Sequence, residues 1–225
     1  MKTDTETQNQ NTNYSQQVAA SLLEIGAVGF KPENPITFKS GIVSPVYVDN
    51  RKFPYFPKHW SKVIAGFEQL IKEKNLEFDV IAGIETAGIP HSAALGYKLQ
   101  EPSVFVRKKI KDHGTKSRVE GGAVENKKIL LIEDLVTTGS SSLAGVSALR
   151  SESAIVTDCL AIITYDFPEA KENFDAEQVK LHTLTTFTLV LETAIKENIL
   201  TVEQKEVVAD WFNDPHGWAT RHGHA

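Results

Sequence analysis

The segment ILLIEDLVTTGSSS, residues 129–142, sets two adjacent carboxylates, Glu133 and Asp134, at the end of an unbroken aliphatic run. Hydroxyl-bearing residues around a single glycine follow. Acids that close a buried strand repel each other unless cations or hydroxyl groups share their surroundings. Thr137, Thr138, Ser140 and Ser141 offer hydroxyls and backbone amides where a helix should start, and Gly139 permits the positive φ that turns successive N–H groups inward. Unpaired amides at a helix start suit a phosphate monoester. The turn is not a P-loop, because no Gly-Lys-Ser/Thr follows it. Acids beside a phosphate cradle fit a ligand that carries hydroxyls near its phosphate, and a ribose 5-phosphate is such a ligand. A strand that merely surfaces into a capped turn is the plainer alternative, but it leaves the second carboxylate unexplained.

A second feature is electrostatic. The chain has 225 residues and a net charge of −5, yet Arg107–Arg118, RKKIKDHGTKSR, holds six Lys or Arg against one Asp. That stretch is locally +5, so the rest of the chain carries −10. An acidic protein is poorly suited to nucleic acid as its main partner. A cationic island on it suits a small polyanion, although a solvated loop would also carry such charge.

The elements that must position these groups are legible from periodicity. Residues 15–28, 59–75, 186–198 and 203–213 show helical spacing. Residues 33–53 alternate and carry Pro and Gly punctuation, which predicts a short β-hairpin. Three stretches, 78–100, 101–109 and 127–152, each begin with a short apolar strand; the first and third continue through a glycine turn into a helix. Two more strands are predicted within 154–170 and 179–186. Near-continuous apolar strands alternating with helices predict an α/β fold, a mostly parallel sheet covered on both faces. Ligands of such sheets bind beyond the carboxyl ends of the strands, which puts GIETAG, VRKKIKDHG and IEDLVTTGSSS on one rim. Residues 1–13 are polar and read as a disordered tail. Residues 14–225 read as one domain: a small N-terminal hood over about 14–58, a core over about 59–185 and C-terminal helices over about 186–213.

The remaining composition bounds the setting. Cys159 is the single cysteine and lies in an apolar run, so no internal disulfide forms and a cytoplasmic location is expected. No apolar run reaches the ~20 residues that cross a bilayer, so no membrane partner is expected. Ser21 and Ser44 lack a nearby His-Asp arrangement. The three histidines after residue 215 match no standard metal spacing, and Trp60, Trp211 and Trp218 are expected to pack.

The 129–142 segment resembles the phosphoribosyl pyrophosphate (PRPP) signature of the type I phosphoribosyltransferases. Residues 38–51, FKSGIVSPVYVDNR, look like the hood of the orotate-using branch of that family, 106–114 like its mobile loop, and 83–90 like its pyrophosphate-side loop. The resemblance covers residues 15–213 in order and is nearest the bacillus-type members. It implies transfer of the 5-phosphoribosyl group from PRPP to orotate in pyrimidine synthesis, giving orotidine 5′-monophosphate and pyrophosphate. Position by position, it implies Lys111, His113, Arg107 and Lys108 as catalytic residues around the pyrophosphate, with Gly114 as a hinge. PRPP would be bound by Glu133, Asp134, Leu135, Val136, Thr137, Thr138, Gly139, Ser140 and Ser141, with Glu85 and Thr86. Thr137 and Lys39 would meet orotate. The resemblance further implies Mg²⁺ held mainly by substrate, and a homodimer whose loop is shared across the interface. A PRPP-sensing protein without catalysis, or a transferase for another base, are the alternatives.

Two positions depart from the family pattern. Ala87 stands where many members have lysine, and Phe167 where many have the arginine that meets the orotate carboxylate. A buried anion without a cation is unfavourable by several kcal/mol, so another cation is expected there. Lys39 and Arg51 are the candidates.

Overall fold

The computed structural model describes residues 3–38, 40–109 and 117–224. Helix α1 (Thr3–Glu24) leads into β1 (Val28–Phe30), β2 (Ile36–Thr37), β3 (Val43–Ser44) and β4 (Val46–Val48), then a 3₁₀ helix (Asn50–Tyr55). The core follows as α2 (Pro57–Glu73), β5 (Val80–Ile84), α3 (Gly88–Leu99), β6 (Ser103–Val106), β7 (Val119–Glu120), β8 (Lys128–Val136), α4 (Ser140–Ser151), β9 (Ile155–Thr164), α5 (Pro168–Ala176) and β10 (Lys180–Thr186). Helices α6 (Phe187–Lys196), α7 (Val202–Asn213) and α8 (Trp218–Arg221) end the chain.

The main sheet runs β10-β9-β8-β5-β6-β7, with only β7 antiparallel to its neighbour. β8 lies inside it, which explains why its sequence shows no alternation. Leu130 and Ile132 enter the layer formed with Val18, Leu22, Phe67 and Val208, from α1, α2 and α7. Ile129 and Leu131 enter the opposite layer, with Val146, Leu149 and Phe174 from α4 and α5. Each such side chain contributes about 1.5–3 kcal/mol on burial. Cys159, Trp211 and Trp218 are fully buried, as packing roles require, and Trp60 is half-buried with its Nε1 donating to His91 Nδ1 at 2.9 Å.

The hood is two small antiparallel pairs, β2 with β3 and β1 with β4. The hairpin agrees with the sequence reading; β1 was not expected, because three residues show too little alternation to register. Trp211 Nε1 donates to Val43 O at 2.9 Å, and the Phe38 ring packs 5.4 Å from that of Tyr165. The hood therefore sits over the end of β9.

Other differences are local. Helix α1 starts at Thr3, twelve residues before the helical spacing read from residue 15. α5 is not among the elements read from the sequence; Pro168 opens it, since proline is well suited to the first helical turn. β7 and α8 are too short to produce a periodic signal.

Candidate active site

β8 does not end at its acids. It continues through Glu133 and Asp134 to Val136, and neighbouring side chains on a strand point to opposite faces. Glu133 turns toward α4, where Ser142 Oγ donates to its Oε2 at 3.3 Å. Asp134 turns toward the 3₁₀ helix, where Asn50 Nδ2 donates to Asp134 O at 3.0 Å and reaches Oδ2 at 3.4 Å. The Asp134 amide also donates to Glu133 Oε1 at 3.1 Å. Glu133 is 5% exposed, while Asp134 opens onto the cleft. Burial, followed by the charge of Asp134, pushes the Glu133 carboxyl well above the usual range. Burial raises Asp134 as well, against the lowering effect of its hydrogen bonds from Glu133 and Asn50.

The turn after β8 has the geometry its sequence predicts. Gly139 has φ +85°, and a Cβ there would lie 2.8 Å from the Phe174 ring, so both backbone and space exclude a side chain. The first-turn amides of α4, on Ser140, Ser141 and Ser142, have no acceptor within the helix. Thr138 Oγ1 and Ser140 Oγ lie 3.1 Å apart, and Asn173 of α5 braces the turn by donating to Thr138 O at 2.9 Å. Thr137, Thr138, Ser140 and Ser141 face the same cleft as both acids.

The second flank comes from the ends of β5 and β6. Gly88 lets α3 start against β8, since a Cβ there would lie 2.5 Å from Ile132 O. This close approach brings Glu85, Thr86 and Ala87 to the rim. Glu85 Oε2 accepts from the Lys108 amide at 2.7 Å, which joins the two strand ends. Arg107 Nη1 lies 3.4 Å from Glu120 Oε1. Arg118 donates from Nε to Arg107 O at 2.7 Å and from Nη1 to Ala144 O at 3.2 Å.

Together these groups line a cleft of about 620 Å³ that opens at the carboxyl ends of β5, β6 and β8. Of the residues singled out in the sequence, Arg107, Lys108, Glu85, Thr86 and the run from Glu133 to Ser141 all line it. Lys39, Lys111, His113 and Gly114 lie outside the described residues. Arg51 lines the cleft, whereas Phe167 is buried in an aromatic cluster, stacked 5.5 Å from Tyr165. Sequence reasoning missed Asn50, Ser142, Asn173 and Arg118 as supports. Only Arg118 carried a signal, as the end of the basic island; Asn50 and Asn173 act across 84 and 35 residues, and Ser142 meets Glu133 only once α4 packs on β8.

Acids, an amide cradle and a cationic flank around one cleft can hold a phosphorylated sugar bearing a second, anionic leaving group. The comparisons agree with that chemistry. Residues 57–165 match the model of the phosphoribosyl transferase domain family. The chain is 38% identical over 206 residues to an orotate phosphoribosyltransferase of Coxiella burnetii, covering 92% of this chain and 99% of that protein. It is 42% identical over 202 residues to the one from Listeria monocytogenes, covering 90% and 97%. A crystal structure of orotate phosphoribosyltransferase from Aeropyrum pernix superposes with a TM-score of 0.71 at 27% identity, covering 82% of this chain and 99% of that one. With similarity running nearly end to end in these relatives, and with the cleft built from the segments that prompted the resemblance, this chain belongs to the orotate phosphoribosyltransferase family.

Proposed function

We propose that this protein transfers the 5-phosphoribosyl group of PRPP to N1 of orotate, giving orotidine 5′-monophosphate and pyrophosphate in pyrimidine biosynthesis. The observation that carries this reading is the placement of Glu133 and Asp134 in one cleft with the Gly139 turn. The acids accept the 2′ and 3′ hydroxyls of the ribose. The α4 amides and the hydroxyls of Thr137, Thr138, Ser140 and Ser141 hold the 5′-phosphate. Leu135 and Val136 shape the wall between them.

The C1–O bond breaks with its electron pair passing to pyrophosphate, a bond from orotate N1 to C1 forms, and the N1 proton is released. The sugar carbon gains positive character as the leaving group gains charge, so the chief demand on the protein is to neutralise pyrophosphate. Arg107 and Lys108, with Lys111 and His113 on the loop, meet that demand. Glu85 and Thr86 line the pyrophosphate side; Thr137 and Lys39 meet orotate.

Oxygen donors line the cleft floor, but no group of three metal-ligating side chains gathers among the described residues. This donor set fits Mg²⁺ carried in on PRPP, and Glu133 and Asp134 are the residues that would help hold it. When bound, Mg²⁺ offsets negative charge on the pyrophosphate and ribose oxygens. The protein acts in the cytoplasm as a homodimer, with residues 14–225 as one catalytic unit and the basic loop reaching the partner's cleft. Among the described residues no helix is long and apolar enough to cross a membrane.

The direct assay supplies PRPP and Mg²⁺ with orotate, uracil or a purine base. Turnover with orotate is expected to dominate; turnover only with another base would remove the assignment. Lys111→Ala is expected to lower kcat far more than it weakens PRPP binding, because the lysine acts on charge that develops during bond breaking. Equal losses in steady-state kcat and calorimetric Kd would contradict that role.

A further inference from the structure

We propose that Arg51 reads the carboxylate of the base, held in place by Asp49, and so sets the preference for orotate over bases lacking that group. The inference rests on the transferase reading above and extends it to acceptor recognition.

The cleft has two flanks. Among its described lining residues the cations are Arg51, Arg107, Lys108 and Arg118. Three of them belong to the flank at the end of β6: Arg107 and Lys108 follow that strand, and Arg118 is bonded to Arg107 O and Ala144 O. Arg51 stands on the other flank, in the 3₁₀ helix that Asn50 ties to Asp134. There the hood covers the end of β9 through Phe38. The transfer replaces an α-linked pyrophosphate with a β-linked base and so inverts C1. The entering base must therefore lie on the face of the ribose opposite the leaving group. With pyrophosphate at the β6 flank, the base occupies the hood flank, where Phe38, Val48 and Leu135 offer an apolar wall.

A carboxylate on that base needs a cation, because Asp134 and Asp49 already give the region negative charge. Arg51 has the required geometry. Its Nε lies 2.5 Å from Asp49 Oδ1, and both of its Nη groups make no hydrogen bond to any described residue. One edge of the guanidinium is thus anchored and the other is available for a two-pronged bond to a carboxylate. The Asp49 hydrogen bond, with the nearby charge of Asp134, also keeps Arg51 firmly protonated. Its side chain is 68% exposed, so replacing it leaves the core untouched.

The test uses two nucleotides that differ only in the carboxylate, orotidine 5′-monophosphate and uridine 5′-monophosphate. Calorimetry gives Kd for each on the wild type, Arg51→Gln and the double variant Arg51→Gln/Asp49→Asn. Wild type should prefer the carboxylated nucleotide. Arg51→Gln should lose about 10- to 100-fold of that affinity, the range for a charge-assisted hydrogen bond, with uridine 5′-monophosphate binding unchanged. The double variant should show the same loss. Retained preference in Arg51→Gln overturns the assignment of Arg51 while leaving the transferase reading intact. Recovery in the double variant also overturns it, since the loss would then come from an uncovered Asp49. Equal weakening of both nucleotides would place Arg51 on the sugar-phosphate and overturn it too. If the wild type itself bound both nucleotides alike, the orotate reading would fail with it, and that outcome is distinct from the others.

Discussion

Glu133 and Asp134 are arranged for a ligand at some expense to the free protein. The raised Glu133 carboxyl means that the folded state holds a proton which the unfolded chain releases once pH exceeds the ordinary carboxyl value. The contribution of Glu133 to stability is therefore most favourable below that value and declines as pH rises through the window up to its folded pKa. Glu133→Gln removes the penalty and keeps partners for Ser142 Oγ and the Asp134 amide. It is expected to raise the melting temperature of the ligand-free protein at pH 7–8, by roughly 2–4 °C for each kcal/mol regained. The gain should shrink below about pH 4, where the unfolded carboxyl is protonated too. Scanning fluorimetry across pH measures this, and a variant less stable than wild type at pH 8 contradicts the argument. PRPP affinity of the same variant should fall. Gly139→Ala tests the neighbouring turn: φ +85° and the approach to Phe174 should destabilise the protein by about 1–3 kcal/mol. PRPP binding should weaken as well, through displaced α4 amides. Unchanged chemical denaturation would show that the turn absorbs the methyl group.

β8, the Gly139 turn and α4 form a strand–turn–helix unit that local sequence describes almost completely: a two-faced apolar run, a positive-φ glycine and hydroxyls at the helix start. The pyrophosphate-side loop and the start of α3 were equally legible, because Gly88 marks a close backbone approach within a few residues of its strand. What local pattern could not show is how separate elements meet. Asn50 reaches Asp134 across 84 residues and Ser142 meets Glu133 through helix packing; neither residue type announces such a partner. The sequence suggests that the acids close the strand, yet β8 runs on through them to Val136, and their alternation within it gives each its own support. Asn50→Ala isolates one of those supports. It removes the bond that fixes the hood-side helix to Asp134, which should cost about 0.5–1.5 kcal/mol of stability. It should raise KM for both PRPP and orotate, because one tether aligns the ribose acid and the base flank. A change in KM for PRPP alone would mean that the hood is held independently of Asn50.

The whole molecule divides its labour across a cleft with a fixed floor. In the proposed reaction β8 and α4 hold the sugar-phosphate, the β5–β6 flank opposes the leaving group, and the hood, which Trp211 supports from beneath through Val43 O, opposes the base. One cationic part, the loop bearing Lys111 and His113, is proposed to arrive from a second copy of the chain. Mixing two inactive variants tests this directly. Lys111→Ala disables the loop and Asp134→Asn disables the ribose seat, and each homodimer should be nearly inactive. In a mixed dimer with crossing loops, the damaged loop of one subunit enters the damaged seat of the other. The second site then combines an intact loop with an intact seat. Random mixing in equal amounts makes half of the dimers mixed, with one working site of two, so activity should recover to about a quarter of wild type after co-refolding or co-expression. If each loop served its own subunit, every site in the mixed dimer would carry one defect and no recovery would be seen. The size of the recovered signal therefore reports on loop crossing and dimerisation together, and its absence in a mixture shown by native mass spectrometry to contain mixed dimers would assign the loop to its own cleft.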